Sequence, residues 1–167
     1  KHELDGEVKC TGEMEVKGEA KATSAVDVSG ADGKMSVPKG GKFGFGGKKK
    51  KAGGRRLMGH LASEQKVKHK VGGKGLNASG AIDIEEGAEL EMKGKMHLQE
   101  GSKLNISKSK VVFDKPDNGE KHELDGEVKC TGEMEVKGEA KATSAVDVSG
   151  ADGKMSVPKG GKFGFGG

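Results

Sequence analysis

Six-residue steps organise the first thirty residues of the chain. Five consecutive steps read h-x-h-x-G-x, where h is mainly a small or aliphatic residue and Gly or Ser stands at the fifth place. The h pairs are His2/Leu4, Val8/Cys10, Met14/Val16, Ala20/Ala22 and Val26/Val28. Alternation with period two predicts short strands with one buried face. A Gly or Ser in every step provides a corner where φ can be positive.

Three-residue strands joined by tight corners are too short for a stable hairpin meander. They suit a chain that winds, because each step can form one side of a coil that stacks on the coil before it. Three steps give a triangular coil of about 18 residues, and longer corners extend it to about 20. We therefore predict an all-β fold, a β-solenoid (β-helix) built from hexad-type repeats, with inward residues stacked into ladders.

The middle of the chain carries a looser form of the same pattern. The expected inward pairs there are Leu76/Ala78, Ile82/Ile84, Leu90/Met92, Met96/Leu98 and Leu104/Ile106. Strict steps alternate with longer ones along this series, and the corners at 85–89 and 99–103 take up the extra length. An antiparallel meander of two-strand repeats fits 82–106 equally well, but it fits the strict steps poorly.

Residues 1–47 and 121–167 are identical, at an offset of 120 residues. We expect the chain to be an excerpt of a longer tandem array with this period; an engineered concatemer is the alternative. The expected organisation is a solenoid module at 1–47, a basic Gly/Lys/Arg linker with a possible short helix at 48–64, and a solenoid unit at 65–167.

The composition allows only a slender interior. The chain has 31 Gly, 5 Phe and neither Trp nor Tyr, and 34% of its residues are charged. A globule with so few large side chains has a thin core, which leaves disorder or a narrow repetitive architecture. The net charge of only +4 and the patterned apolar residues favour the second. The outward positions are mostly Glu and Lys, which predicts a solvated face.

The steps are lost over 30–47, although Met35/Val37 and Phe43/Phe45 still alternate and allow short strands. Pro38 argues for an edge or corner position. The run at 48–56 reads KKKKAGGRR and is expected to be a flexible linker. Residues 55–65 could form a short helix that caps the solenoid, since a helix of that length needs a partner.

No constellation of catalytic residues stands out, so we expect no enzymatic activity, no cofactor and no metal site. The histidines are scattered, at positions 2, 60, 69, 97 and 122. The glycine-rich stretch GGKFGFGG lacks the Lys-Ser/Thr pair of a phosphate-binding loop. No apolar run reaches the length of a membrane-spanning helix. Cys10 and Cys130 occupy equivalent inward positions, where they are either buried small residues or a cross-link between units.

The stretch VKCTGEMEVKGEAKATSAVDVSG resembles the hydrophobic hexads and corner glycines of the bactofilins, bacterial polymer-forming cytoskeletal proteins. The resemblance covers 2–30, 122–150 and, loosely, 76–113. It implies a β-helix of small residues that polymerises end to end without nucleotide. The tandem arrangement, the Lys-rich linker and the unequal corners depart from that family. Phage spikes and tail fibres carry similar runs, but they normally add a tip domain, and none is visible.

The first functional hypothesis is a structural protein that assembles with itself, head to tail, into a filament or fibre, because a solenoid end is an open strand edge. An extracellular or cell-surface fibre is favoured over a cytoskeletal filament. The second hypothesis is a scaffold that binds an acidic polymer, an anionic surface or a mineral. Without Tyr or Trp, specific nucleic-acid recognition is not expected. The candidate polyanion contacts are Lys48, Lys49, Lys50, Lys51, Arg55 and Arg56.

Overall fold

The computed structural model describes residues 2–30, 32–46, 48–49 and 65–166. These residues form a β-solenoid built from three parallel sheets of seven strands each, and they include no helix. The strands, in chain order, are β1 His2–Leu4, β2 Val8–Cys10, β3 Glu13–Glu15, β4 Glu19–Ala22, β5 Val26–Val28, β6 Lys34–Val37, β7 Lys42–Phe45, β8 Lys48–Lys49, β9 Gln65–Val71, β10 Gly75–Ala78, β11 Ala81–Ile84, β12 Ala88–Met92, β13 Met96–Leu98, β14 Lys103–Ile106, β15 Lys110–Phe113, β16 His122–Leu124, β17 Glu127–Cys130, β18 Glu133–Val136, β19 Glu139–Ala142, β20 Val146–Val148, β21 Lys154–Ser156 and β22 Lys162–Phe165.

Each turn of the chain contributes one strand to each of three sheets. Sheet A runs β1-β4-β7-β11-β14-β17-β20, sheet B runs β2-β5-β9-β12-β15-β18-β21, and sheet C runs β3-β6-β10-β13-β16-β19-β22. All of these pairings are parallel, and among the described strands β8 alone pairs antiparallel, with β9. The winding interpretation is therefore confirmed, and the antiparallel meander is wrong.

The turns differ in length because their corners differ. His2 lies beside Ala20, as three strict steps predict. Leu76 lies beside Met96, which agrees with the longer coil. Leu98 lies beside Leu124, and this turn is longer still because the turn-rich stretch 115–120 is taken up in one corner. The solenoid thus keeps its strand positions and absorbs insertions at its corners.

The winding continues through 30–46, where the sequence loses its six-residue steps. Strands β6 and β7 there stack in sheets C and A like the strands of the regular part. Pro38 lies in the corner between them, and its carbonyl accepts a hydrogen bond from the Gly41 N–H at 2.9 Å. The predicted helix at 55–65 falls outside the described residues, except for Gln65, which begins β9.

The interior consists of ladders in which large side chains lie beside small ones. All five inward pairs predicted for the middle of the chain are buried. Phe43 and Phe45 pack edge to face, with ring centroids 4.7 Å apart, beside Ala20 and Ala22 on the neighbouring strand. The three sheets enclose a three-sided interior, the prism. Because alanine leaves room for the rings, this combination of large and small side chains fills the prism without widening it.

Gly30 and its copy Gly150, the corners of the last strict step, have the predicted positive φ of 87°, but the other corner glycines of the strict steps do not. Neither Gly12 nor Gly132 has a positive φ. A Cβ on Gly132 would instead lie 2.2 Å from the carbonyl oxygen of Ser109, in the corner of the turn below. Positive φ occurs in the longer corners, at Gly87 (81°) and Gly101 (79°). Tight corners therefore require glycine for close stacking, and longer corners require it for backbone conformation.

The two identical segments do not occupy the same sheets. Strand β1 lies in sheet A, whereas its copy β16 lies in sheet C, fourteen strand positions further along the three sheets. The pairings inside each copy are nonetheless the same, since His2 lies beside Ala20 and His122 beside Ala140. Fourteen is not a multiple of three, so the second copy is rotated by one side of the prism.

Replacing Gly132 with Ala is expected to destabilise the fold by about 2 kcal/mol or more, because the new methyl group collides with the backbone of the turn below. The same change at Gly12 is expected to stay within about 0.5 kcal/mol, since nothing lies within 4 Å of a Cβ there. Urea unfolding of the two variants measures the difference. Equal effects would contradict the stacking role of the corner glycine.

Candidate functional site

The solenoid has two ends that differ in character, and both are strand edges. The lower end is formed by β1, β2 and β3, and no described strand lies below them. The upper end is formed by β20, β21 and β22, and no described strand lies above them. Edges of this kind present unpaired N–H and C=O groups that pair readily with another strand.

The upper end exposes side chains that are buried in the other copy of the same sequence. Phe165 is 71% exposed, whereas its copy Phe45 is fully buried beneath β11. Val157 is 43% exposed, whereas its copy Val37 is fully buried beneath β10. They are the only large apolar side chains that are exposed in the described part of the chain.

The lower end shows the converse. His122 and Leu124 are fully buried, because β13 lies below them in sheet C. Their copies at the lower end differ, since His2 is exposed and Leu4 only half-buried. The chain itself therefore demonstrates that both end surfaces can be covered by a further turn.

Outward charges alternate in sign from strand to strand along sheet B. In sheet B, Lys68, Glu89, Lys110, Glu133 and Lys154 follow one another on successive strands. The Lys110 ammonium lies 3.2 Å from Glu135 and 3.5 Å from Glu133, and the hydrogen bond to Glu135 is the main cause of its raised pKa. Exposed pairs of this kind contribute a few tenths of a kcal/mol each, so the expected solvated face is also a set of weak cross-strand links.

Among the described residues, two histidines lie inside the otherwise apolar ladders. The Nδ1 atom of His69 accepts a hydrogen bond from the Val26 N–H at 3.3 Å, and Nδ1 of His122 accepts one from the Met96 N–H at 3.1 Å. The strand registers stack side chains at equivalent positions of successive turns into columns. In both cases the donor belongs to the residue directly below the histidine in its column.

The second ring nitrogens of these histidines differ in their surroundings. Nε2 of His122 lies 2.7 Å from the Asp114 carbonyl oxygen. Nε2 of His69 is buried with no hydrogen-bond partner among the described residues. Burial lowers the pKa of both groups, that of His69 to about 4. Sequence reasoning treated both as scattered residues, although alternation with Val67 and Val71 already indicated an inward position for His69.

The cysteines are free and occupy inward positions of different exposure. Cys130 is fully buried, whereas Cys10 is half-buried on the lower end. Each Sγ lies 3.2 Å from the carbonyl oxygen two residues later, Gly12 or Gly132. Burial raises the pKa of the Cys130 thiol, which keeps it protonated. A cross-link through Cys10 and Cys130 remains a prediction.

The basic run lies largely outside the described residues. Lys48 and Lys49 form β8, whose backbone pairs with Lys66 and Gln65 of β9. Lys50, Lys51, Arg55 and Arg56 are not among the described residues. Their role as polyanion contacts remains a prediction.

No group of three or more His, Cys, Asp or Glu side chains within the described ranges could hold a metal ion. The same residues include no helix long and apolar enough to cross a membrane.

Comparison with known proteins identified no relative of this chain. No family model matches the chain, and neither a curated protein nor a solved structure resembles it significantly. The assignment of function therefore depends on the geometry of the chain itself.

Stability is expected to fall as the pH drops from about 6.5 towards about 4, by about 1.4 kcal/mol per pH unit for His69 alone. The unfolded chain binds a proton near pH 6.5, whereas folded His69 does so only near pH 4, so acid favours unfolding over that interval. Above about pH 6.5 both states are neutral at this group and the effect vanishes. His122 acts in the same direction.

The comparison is with His69→Gln, whose amide oxygen can still accept the Val26 N–H but does not titrate. Urea unfolding between pH 4 and pH 7 should show a weaker pH dependence for this variant than for the unmodified chain. An identical pH dependence in the variant and the unmodified chain would contradict the role of His69.

Proposed function

We propose that this chain is a structural, non-enzymatic scaffold whose β-solenoid assembles end to end into a filament. The observation that supports it is that the outermost described strands, β1–β3 and β20–β22, expose inward side chains that the identical sequence buries beneath another turn elsewhere. Two different surfaces that meet head to tail form a heterologous contact, which continues into a filament unless the rotation closes it.

The driving force for assembly is burial of the exposed inward residues together with completion of three strand edges. Covering a large apolar side chain contributes about 1.5–3 kcal/mol when it is fully exposed beforehand, and Phe165 is 71% exposed. Each edge also gains backbone hydrogen bonds with the adjacent strand. Because apolar burial is not screened by salt, the filament should persist at high ionic strength.

The resemblance of the hexads to those of the bactofilins agrees with this proposal at the level of architecture. A β-helix is the form that the resemblance implies, and the fold is a β-solenoid, although its interior also holds Phe, Met and Leu side chains. Polymerisation, and any closer relation to that family, remain part of the proposal.

Negative-stain microscopy and sedimentation of the purified chain test assembly directly. Fibres of uniform width that persist in 1 M NaCl are the expected result. Phe165→Asp should suppress them, because it places a charge on the upper end, where the Phe165 side chain is largely exposed and contacts Phe163 edge to face. Ser107→Asp, which adds the same charge at an exposed corner away from the ends, should leave them intact. Monomers alone, at every concentration tested, would contradict the proposal.

Thiol labelling provides a second test, with a reference inside the same molecule. Cys10 is half-buried on the lower end and should react with a maleimide in the monomer but become protected on assembly. Cys130, in the identical sequence, is buried in both states and should react only after unfolding. Mass spectrometry of labelled peptides, taken at increasing protein concentration with Cys10→Ser and Cys130→Ser to assign the signals, gives the result. Concentration-independent labelling of Cys10 would contradict burial of the lower end.

A further inference from the structure

We propose that successive molecules stack without rotation, sheet A continuing as sheet A, and that a hydrogen bond from the Val146 backbone to the His2 imidazole fixes this register. The inference rests on the proposed end-to-end assembly and names the contact through which it occurs. The partner is a second copy of this chain, whose lower end sits on the upper end of the first.

The columns of aligned residues decide which side chains meet in this arrangement. Following the registers from strand to strand, each inward residue of the upper end shares a column with one inward residue of the lower end. Six contacts result, each between an upper-end residue of the first molecule and a lower-end residue of the second. They are Val146 with His2, Val148 with Leu4, Met155 with Val8, Val157 with Cys10, Phe163 with Met14 and Phe165 with Val16. Every interior ladder therefore continues across the joint.

Rotated docking does not achieve this. The chain climbs by one strand spacing, roughly 4.8 Å, in each turn. A second molecule turned by one side of the prism would therefore leave at least one of the three upper edges without a neighbouring strand. Only the unrotated arrangement covers β20, β21 and β22 together.

The donor side of the proposed hydrogen bond is already visible in the first copy. The N–H of Val26 donates to Nδ1 of His69, which lies directly above it. Val146 is the copy of Val26 and lies on the upper edge of β20, where the described chain has no further strand. Its N–H is thus placed to meet an inward histidine of the next molecule.

The acceptor side is visible in the second copy. Nδ1 of His122 accepts the N–H of Met96, which lies directly below it. His2 is the copy of His122, and it lies at the lower end, where no described strand is below. Unrotated stacking places Val146 of one molecule directly below His2 of the next. Each partner would then repeat a contact that its copy makes within the chain.

Outward charges favour the same arrangement. Lys162 shares a column with Glu13 in sheet C, and Lys154 shares one with Glu7 in sheet B, so two pairs of opposite charge meet at the joint. Asp147 shares a column with Glu3 in sheet A, which is the one pair of like charge among these columns. Among the described residues, Glu133 and Glu139, the register partners of Lys154 and Lys162, form their ion pairs with Lys110 and Lys121 on the turn below, although Lys162 is close enough to contribute to the lowered pKa of Glu139.

Charge reversal at one end tests the register. The double variant K154E/K162E should raise the critical concentration for assembly about tenfold in low salt, and E7K/E13K should do the same. An equimolar mixture of the two should assemble like the unmodified chain, because each upper end then meets a complementary lower end. In 1 M NaCl each variant should assemble alone, since screening removes the repulsion; this also demonstrates that the variants are folded.

Single substitutions with matched controls complete the test. Lys162→Glu should weaken assembly, whereas Lys39→Glu, at an exposed corner between β6 and β7 of the first copy, should not. Asp147→Lys should lower the critical concentration, because it removes the like-charge pair. His2→Phe should raise it several-fold while leaving the unfolding of the monomer unchanged, since His2 is exposed.

The outcomes separate this inference from the function on which it rests. Failure of the unmodified chain to assemble would overturn both. Assembly that is insensitive to the charge reversals, or that the mixture does not restore, would overturn the unrotated register and leave end-to-end assembly standing. Assembly that is weakened by the reversals, restored by the mixture and weakened by His2→Phe is the expected result.

Discussion

The fold depends on parallel, in-register hydrogen bonding between successive turns, with the apolar residues of each strand directed into the prism. The strands of the three sheets are short, most of them only three or four residues long, so none could persist by itself. Each is held by the strand above it and the strand below it, which places like positions in continuous ladders. Glycine corners permit this spacing, since a side chain at Gly132 would push adjacent turns apart. Stability is therefore a property of neighbouring turns.

The same dependence explains why identical sequences have different environments. Phe45 and Phe165 occupy equivalent places in identical segments, yet one is fully buried and the other largely exposed. The difference arises because β11 covers the first and no described strand covers the second. Position along the solenoid, as much as residue type, determines which side chains are exposed.

Much of the architecture could be predicted from the residues alone. The strict steps at 2–30 indicated strand, corner and inward face correctly, because period-two alternation and periodic glycine have few structural solutions. Continuation through 30–46 was less evident, since the corner around Pro38 interrupts the spacing while leaving strand positions unchanged. The reason for the tight-corner glycines could not be predicted, because it lies in an adjacent turn that is distant in sequence.

The candidate site was accessible to sequence reasoning only in outline. Open ends follow from any solenoid, but the charges and histidines that meet there depend on the register between turns, and corner lengths set that register. The hydrogen bond of His122 to the Met96 backbone joins residues 26 positions apart and has no local signal. His69 accepts its bond from a residue 43 positions away, on the far side of the basic run in the sequence.

The fourteen-strand displacement between the identical segments has a geometric consequence for any array that continued the 120-residue period. Each unit would advance by about 22 Å and turn back by one third of a revolution, given a strand spacing of roughly 4.8 Å. A given surface would return to the same side only after three units, or about 67 Å. Features fixed in sequence would then trace a single spiral with three units per revolution, and a chemically uniform repeat would face its surroundings in all three directions.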